Sequence, residues 1–143
     1  MSTVFTKILQ GELPGRFVWQ DETCAGFLSI NPLAHGHTLV VPRREVDRWT
    51  DADGDLVAHL MRVAHRIGQA QVRAFDSARA GLTIAGYEID HLHLHVWPSN
   101  SMDDFDFSSA LTAPDPEMMD EAAATLRAAL RVLGETDHVP DES

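Results

Sequence analysis

Three histidines at every second position, His91, His93 and His95, alternate with Leu92, Leu94 and Val96 and run into Trp97. Alternate side chains of a β-strand share a face, so these imidazoles stand about 6.6 Å apart on one side while the apolar residues enter the core on the other. A fourth histidine, His37, lies in Gly36-His-Thr-Leu-Val-Val-Pro42, a second strand rich in β-branched residues whose alternation puts His37, Leu39 and Val41 on one face. Such a face supports more than one chemistry. A His-x-His pair presents two imidazoles to zinc, with His37 as a third ligand from the neighbouring strand. A neutral imidazole also attacks phosphorus, while flanking imidazoles bind the phosphate oxygens. A third reading gives the histidines an exposed strand face and no role.

The rest of the chain must build a pocket over this face. Phe5, Ile8 and Leu9 share one side of a short helix closed by Gly11 and Pro14. Arg16–Gln20 and Thr23–Ile30 form a hairpin around Asp21-Glu22. Thr50 and the acids Asp51, Asp53 and Asp55 open a long helix, whose apolar stripe runs through Leu56, Leu60, Val63, Ile67, Ala70 and Ala74. Gly68 on that helix suits close packing against the sheet, and His59 and His65 read as surface histidines. Gly81–Gly86 is a fourth strand, joined through Tyr87-Glu-Ile-Asp90 to the histidine strand, which ends at Pro98. The short link makes the two antiparallel neighbours and brings Gly86 to Asp90 near the histidines. In the acidic loop from Ser99 to Ser109, Phe105 and Phe107 pin the chain to the body. The last helix spans Pro114 to Gly134, with a stripe from Met118 through Ala122, Leu126, Ala129 or Leu130, and Leu133. The expectation is an α+β domain: roughly five antiparallel strands, a long central helix and a carboxy-terminal helix, in one unit over 1–134 with a frayed acidic tail at 135–143.

Composition narrows the function. With 11 Lys and Arg against 22 Asp and Glu, the formal charge is −11. That disfavours a nucleic-acid surface, which depends on many cationic phosphate contacts, but leaves room for one small anion in a pocket. The lone Cys24 precludes an internal disulfide and reads as a small buried hydrophobe. With no signal-like or membrane-length apolar run, a cytoplasmic protein without membrane partners is expected.

The stretch His91-Leu-His-Leu-His-Val-Trp97 resembles the signature of the histidine triad (HIT) superfamily, in which histidines alternate with apolar residues. Ile8–Pro14 resembles the family's amino-terminal segment, Phe27-Leu-Ser-Ile-Asn-Pro32 its ribose-side strand, and Gly36–Pro42 its second histidine strand, all in family order. The likeness covers about the first hundred residues. It implies a HIT-like fold and a nucleotide hydrolase or transferase that acts at the α-phosphorus of nucleoside phosphoramidates or dinucleoside polyphosphates, without a metal or other cofactor in the chemistry. By this resemblance His93 is the nucleophile, His95 and His37 approach the phosphate oxygens and the leaving atom, and His91 buttresses the nucleophile. Phe5, Phe17, Phe27 and Leu28 line the purine side, and a homodimer is the family's usual assembly.

The departures fall around the site. Many bacterial relatives have a structural zinc held by Cys-x-x-Cys near the start and a later histidine, where this chain has Thr3, Thr6 and Glu45, so no structural zinc is expected. Ser29 stands in place of the family's ribose-binding Asp. The approach loop reads Gly86-Tyr-Glu-Ile-Asp90, placing Glu88 near a phosphate-binding position and Asp90 beside His91, whose pKa it raises if they touch. Glu88 is then either a proton donor to the leaving group or a solvated acid. Two alternatives stand beside the hydrolase: a catalytically weak nucleotide-binding or regulatory protein, and a metal-dependent hydrolase that uses the triad as ligands.

Overall fold

In a computed structural model, residues 2–141 are described; Glu142 and Ser143, the end of the expected tail, lie outside the described residues. The elements in chain order are α1 (Val4–Leu9), β1 (Phe17–Gln20), β2 (Cys24–Leu28), β3 (Thr38–Pro42), α2 (Gly54–Phe75), β4 (Arg79–Thr83), β5 (Leu94–Ser99) and α3 (Pro116–Val132). The strands form a five-stranded sheet in the order β1-β2-β3-β5-β4, with every pairing antiparallel. This is the expected α+β architecture.

Alternation along the strands divides the core. Val18, Cys24, Leu28, Val40, Leu94 and Val96 pack toward α2 and α3. Phe17, Ala25, Phe27, Leu39 and Val41 pack on the opposite face with Phe5, Ile8 and Leu9 of α1. Gly68 allows α2 to lie close to the sheet, because a Cβ there would stand 3.3 Å from that of Ala80. The buried stripe of α2 is Leu60, Val63, Ala64, Ile67 and Ala70, as its periodicity requires.

Several boundaries differ from the expectation. The long helix starts at Gly54 after Asp53, while Thr50 and Asp51 belong to a separate 3-10 turn, Trp49–Asp51, so Thr50 does not cap it. In α3, Asp115 caps by accepting the Glu117 N–H; Met119 rather than Met118 is buried, and Met118 faces solvent. The fourth strand begins earlier, at Arg79, because β5 continues through Pro98 to Ser99 and the two strands pair from Arg79↔Ser99 to Thr83↔His95. Pro98 is tolerated because the β3 ladder ends at Thr38↔Val96, leaving β5 with β4 alone at that point.

The acidic tail is not frayed where it is described. Val139 is buried in the helix-side core, His138 stacks on Trp19 at 4.7 Å, Glu135 pairs with Arg66 at 2.6 Å, and the Pro140 carbonyl accepts from Arg131. One apolar residue and two cationic anchors suffice to dock a segment that composition alone marks as polar. His59 is likewise no free surface group: its Nε2 lies 2.8 Å from Asp21 Oδ2, tying α2 to the β1–β2 turn.

Candidate active site

The alternation across residues 91–97 holds, although the paired strand begins only at Leu94. Leu92, Leu94 and Val96 enter the helix-side core, while His91, His93 and His95 are buried on the other side. Before Leu94, bonds outside the sheet ladder, one from a side chain and one from the main chain, take over. The Pro42 carbonyl accepts from His91 Nε2 at 2.8 Å, and the Leu92 N–H donates to Val46 at 2.7 Å. The first two histidines are therefore held by specific bonds and not by strand pairing.

Hydrogen-bond accounting fixes the tautomers. A backbone N–H only donates and a carbonyl only accepts. The Leu33 N–H donates to His37 Nδ1 at 2.9 Å, so the neutral His37 ring carries its proton on Nε2. That Nε2–H donates to His95 Nδ1 at 3.0 Å, which leaves the proton of neutral His95 on its own Nε2. His95 Nε2 is buried and has no hydrogen-bond partner among the described residues: a donor held ready for an acceptor outside the chain. His93 Nδ1 donates to the His91 carbonyl at 2.7 Å, so in the neutral ring Nε2 keeps its lone pair. A nitrogen that keeps its lone pair and an N–H without a partner among the described residues thus stand side by side, with the two ring centroids 4.9 Å apart.

Burial disfavours the charged form of His37, His95 and His91. Desolvation pushes His37 down to about 3, with His95 and then His93 adding to the effect. His95 is pushed down to about 4, by burial first and then by His93, against the opposing pull of Glu88. His91 is also lowered by burial, against the Pro42 hydrogen bond and the Glu45 charge. The neighbouring carboxylate is thus Glu45, not the anticipated Asp90, which is exposed.

His37 differs from its anticipated role. Both of its nitrogens are engaged within the chain and only 1% of its surface is exposed, and its Nε2–H holds His95 from behind. Leu28 is also displaced from the purine wall: consecutive strand residues face opposite ways, and Leu28 packs with the helix-side core. Phe27 stays on the site face, edge-on to Phe5 at 5.7 Å and to Phe17 at 5.6 Å, and Phe5 in turn lies 4.9 Å from His93. Ser29 is buried close by, its N–H on the His37 carbonyl and its hydroxyl accepting the Asn31 N–H. Gly86 takes φ 84°, a left-handed turn that favours glycine and sends the approach loop back over the site. On that loop, half-exposed Glu88 reaches to 3.4 Å from His93 Nε2.

The sequence reading of the acidic loop as pinned by its aromatics holds, and Phe107 does more. Its ring lies 5.0 Å from His95 and 6.5 Å from His37, so it forms a wall of the site. The signal was an aromatic within an acidic stretch, which does not reveal what the ring covers. The Leu33 N–H was missed for a plainer reason: main-chain donors leave no trace in residue types.

Two groups of side chains bring possible metal donors together among the described residues. Glu88, His93 and His95 offer donor atoms within 4.8 Å of one another, as do Asp21, Cys24 and His59. In the first group, His95 Nε2 carries a proton in the hydrogen-bonded arrangement, so only His93 and Glu88 present lone pairs. In the second, Asp21 already accepts from Trp19, Thr23, Cys24 and His59, and burial holds the Cys24 thiol far above its ordinary range. Neither group is poised as a metal cage.

An antiparallel sheet that presents one imidazole with an unprotonated nitrogen, flanked by two others, defines a histidine-triad type of protein. A family model described as the HIT domain matches residues 10–102, and the chain belongs to the HIT family. It is 35% identical over 111 residues to an uncharacterized HIT-like protein of Borreliella burgdorferi, across 73% of this chain and 80% of that one. Over 105 residues it is 32% identical to adenylylsulfatase HINT3 of Arabidopsis thaliana, across 70% of this chain and 53% of that protein. The crystal structure of a zinc-bound histidine triad family protein from Mycobacterium smegmatis superposes with a TM-score of 0.82 at 32% identity, covering 95% of this chain and 98% of that one. Membership supports a nucleotide-binding function of the hydrolase or transferase type.

Proposed function

We propose that the chain cleaves nucleoside phosphoramidates or dinucleoside polyphosphates at the α-phosphorus through a nucleotidyl group carried on His93. The observation that carries this reading is the pairing of His93 Nε2, unprotonated in the neutral ring and faced by half-exposed Glu88 at 3.4 Å, with the unpartnered His95 Nε2–H. His93 Nε2 bonds to phosphorus as the bond to the leaving atom breaks, and the leaving group departs with one proton. Water then displaces His93 from phosphorus and releases one proton, so the two steps consume one water. His95 donates its hydrogen bond to a phosphoryl oxygen, and His37 keeps that proton on the correct nitrogen. Positive charge that develops on the His93 ring is met by the His91 carbonyl through Nδ1–H.

The test is turnover of adenosine phosphoramidate and of a dinucleoside polyphosphate, with and without a chelator, together with trapping of a nucleotidyl adduct by mass spectrometry. Chelator-insensitive turnover and an adduct on His93 support the reading. Chelator-sensitive turnover shifts it to the metal-dependent hydrolase, and tight nucleotide binding without turnover shifts it to the regulatory protein.

Glu88 stands where an incoming phosphate must pass, so its carboxylate weighs against the more highly charged substrate. In Glu88→Gln the KM for a dinucleoside polyphosphate is expected to fall about threefold or more, most strongly at low salt. A loss of kcat on the phosphoramidate would instead make Glu88 the proton donor.

No helix among the described residues is long and apolar enough to cross a membrane. The homodimer is proposed on the free edge of β4, where exposed Leu82 borders a cavity of about 490 Å³ lined also by Met61, His65 and Gln69. Pairing two such edges would extend both sheets and cover Leu82. Light scattering should give a dimer mass for the wild type and a monomer mass for Leu82→Lys.

A further inference from the structure

We propose that Thr3, Thr6 and Glu45 form a metal-free, hydrogen-bonded clasp on His91 that positions the nucleophile. The proposal rests on the reading of His93 as the attacking group. It starts from four residues in three separate stretches of the sequence, Thr3 with Thr6, Glu45 and His91, whose polar atoms converge at the amino-terminal end of α1.

The protons distribute in one consistent way. His91 Nε2 donates to the Pro42 carbonyl, so the neutral ring has its lone pair on Nδ1. The Thr3 hydroxyl lies 2.6 Å from that atom and donates to it. The same oxygen accepts the Thr6 N–H at 3.1 Å, which makes Thr3 both the cap of α1 and the partner of His91. The Thr6 hydroxyl donates to Glu45 Oε1 at 2.6 Å, and the Thr3 N–H donates to the same oxygen at 3.0 Å. Each of these protons has an acceptor, and both nitrogens of His91 are fixed.

That fixation reaches the reacting nitrogen through the main chain. The His91 carbonyl accepts from His93 Nδ1, and this bond selects the tautomer with Nε2 free. A ring pinned at both nitrogens holds residue 91, and so the direction of its carbonyl. Phe5 of α1 packs edge-on against both rings, at 5.7 Å from His91 and 4.9 Å from His93, so the helix that carries Thr3 and Thr6 also bears on the nucleophile.

These donors do not suit zinc. Two neutral hydroxyls replace thiolates, and the one free lone pair of His91 is already taken by Thr3. The clasp does by hydrogen bonds what a closed metal site does by coordination: it joins the start of the chain to the triad. Thr3, Thr6 and Glu45 touch no reacting atom and are positioning residues.

The experiment combines nitrogen-15 NMR of the histidine side chains with steady-state kinetics on adenosine phosphoramidate. In Thr3→Val, His91 Nδ1 should lose its hydrogen-bonded shift and His93 should become a mixture of tautomers. Its kcat should fall about tenfold or more, with KM within about twofold, because orientation and not binding is lost. Thr3→Ser should restore all three. A single His93 tautomer with unchanged kcat in Thr3→Val, even with a lowered Tm, would overturn the proposal, as would a stoichiometric zinc site in the wild type that Thr3→Val abolishes. If Thr3→Val does not fold, Glu45→Ala, which removes the carboxylate that holds both threonines, is read on His93: a mixture of tautomers with a lowered kcat is expected, and a single tautomer with unchanged kcat overturns the proposal. The NMR arm needs no substrate, so it reports on the clasp even if turnover survives in His93→Ala and the nucleophile reading fails.

Discussion

Replacing His93 by alanine is expected to lower kcat for adenosine phosphoramidate by about 10⁴-fold or more, the scale of losing a covalent nucleophile. No nearby group can take over the attack. His95 has its Nδ1 occupied by His37 and its Nε2 protonated; His37 has both nitrogens engaged; His91 is bonded on both sides. Glu88 lies 3.4 Å from His93 Nε2, but a carboxylate there would meet the substrate's own negative charge. The space left by the ring, walled by Phe5 and His95, should admit free imidazole in His93→Gly. Partial rescue by added imidazole would separate loss of the nucleophile from loss of the fold. Full turnover in His93→Ala would move the attacking role elsewhere.

The second large effect is on stability toward acid. His37 and His95 have folded-state values of about 3 and about 4, below the ordinary histidine value of 6.5. As the pH falls below 6.5, the unfolded chain therefore takes up protons that the folded chain refuses. The stabilisation these rings confer is complete above about pH 6.5 and is lost toward pH 4 and then pH 3, each ring costing about 1.4 kcal/mol per pH unit. Asp21 adds to the loss at the lower end. Burial works against its ionisation, but hydrogen bonds from Trp19, Cys24, His59 and Thr23 hold it down to about 2, so its contribution disappears below its ordinary value of 3.8. Summed over several pH units, these losses become comparable with a whole domain's stability of about 5–15 kcal/mol. Denaturant unfolding between pH 4 and 6 should show a pH slope about two protons steeper for the wild type than for a His37→Asn, His95→Asn double variant. Equal slopes would mean that the two rings are protonated in the folded protein.

Much of this site was legible because alternation is a strong code. Histidines at 91, 93 and 95 with apolar residues between them place the three rings on one face whether or not every residue is paired in a ladder; that this face is buried is seen only in the fold, and resemblance singled out His93 within it. The roles of the other rings were not legible. His37 differs from His95 only by which nitrogens are already bonded, and the bond that decides it comes from the Leu33 main chain. Leu28 was misplaced because a family position names a strand and does not say on which side of it a residue points. The docking of Glu135 to Pro140 escaped for an energetic reason: a single Val139 finding a seat between helix and sheet is a tertiary event with no local period. Likewise, Thr3, Thr6 and Glu45 could be read as lost metal ligands, but the bonds they make instead appear only once 88 residues of chain have brought Thr3 to His91.

The group that orients His93 is a main-chain carbonyl, and this bears on how the protein can lose or keep its chemistry over generations. A carboxylate in that place could be deleted by one codon change. The carbonyl of residue 91 survives every substitution at that position, so mutation must strike the His93 imidazole itself or shift the segment that carries the carbonyl. Changes among the residues that hold the segment are then expected to alter the rate by degrees while the His93 ring stays in place.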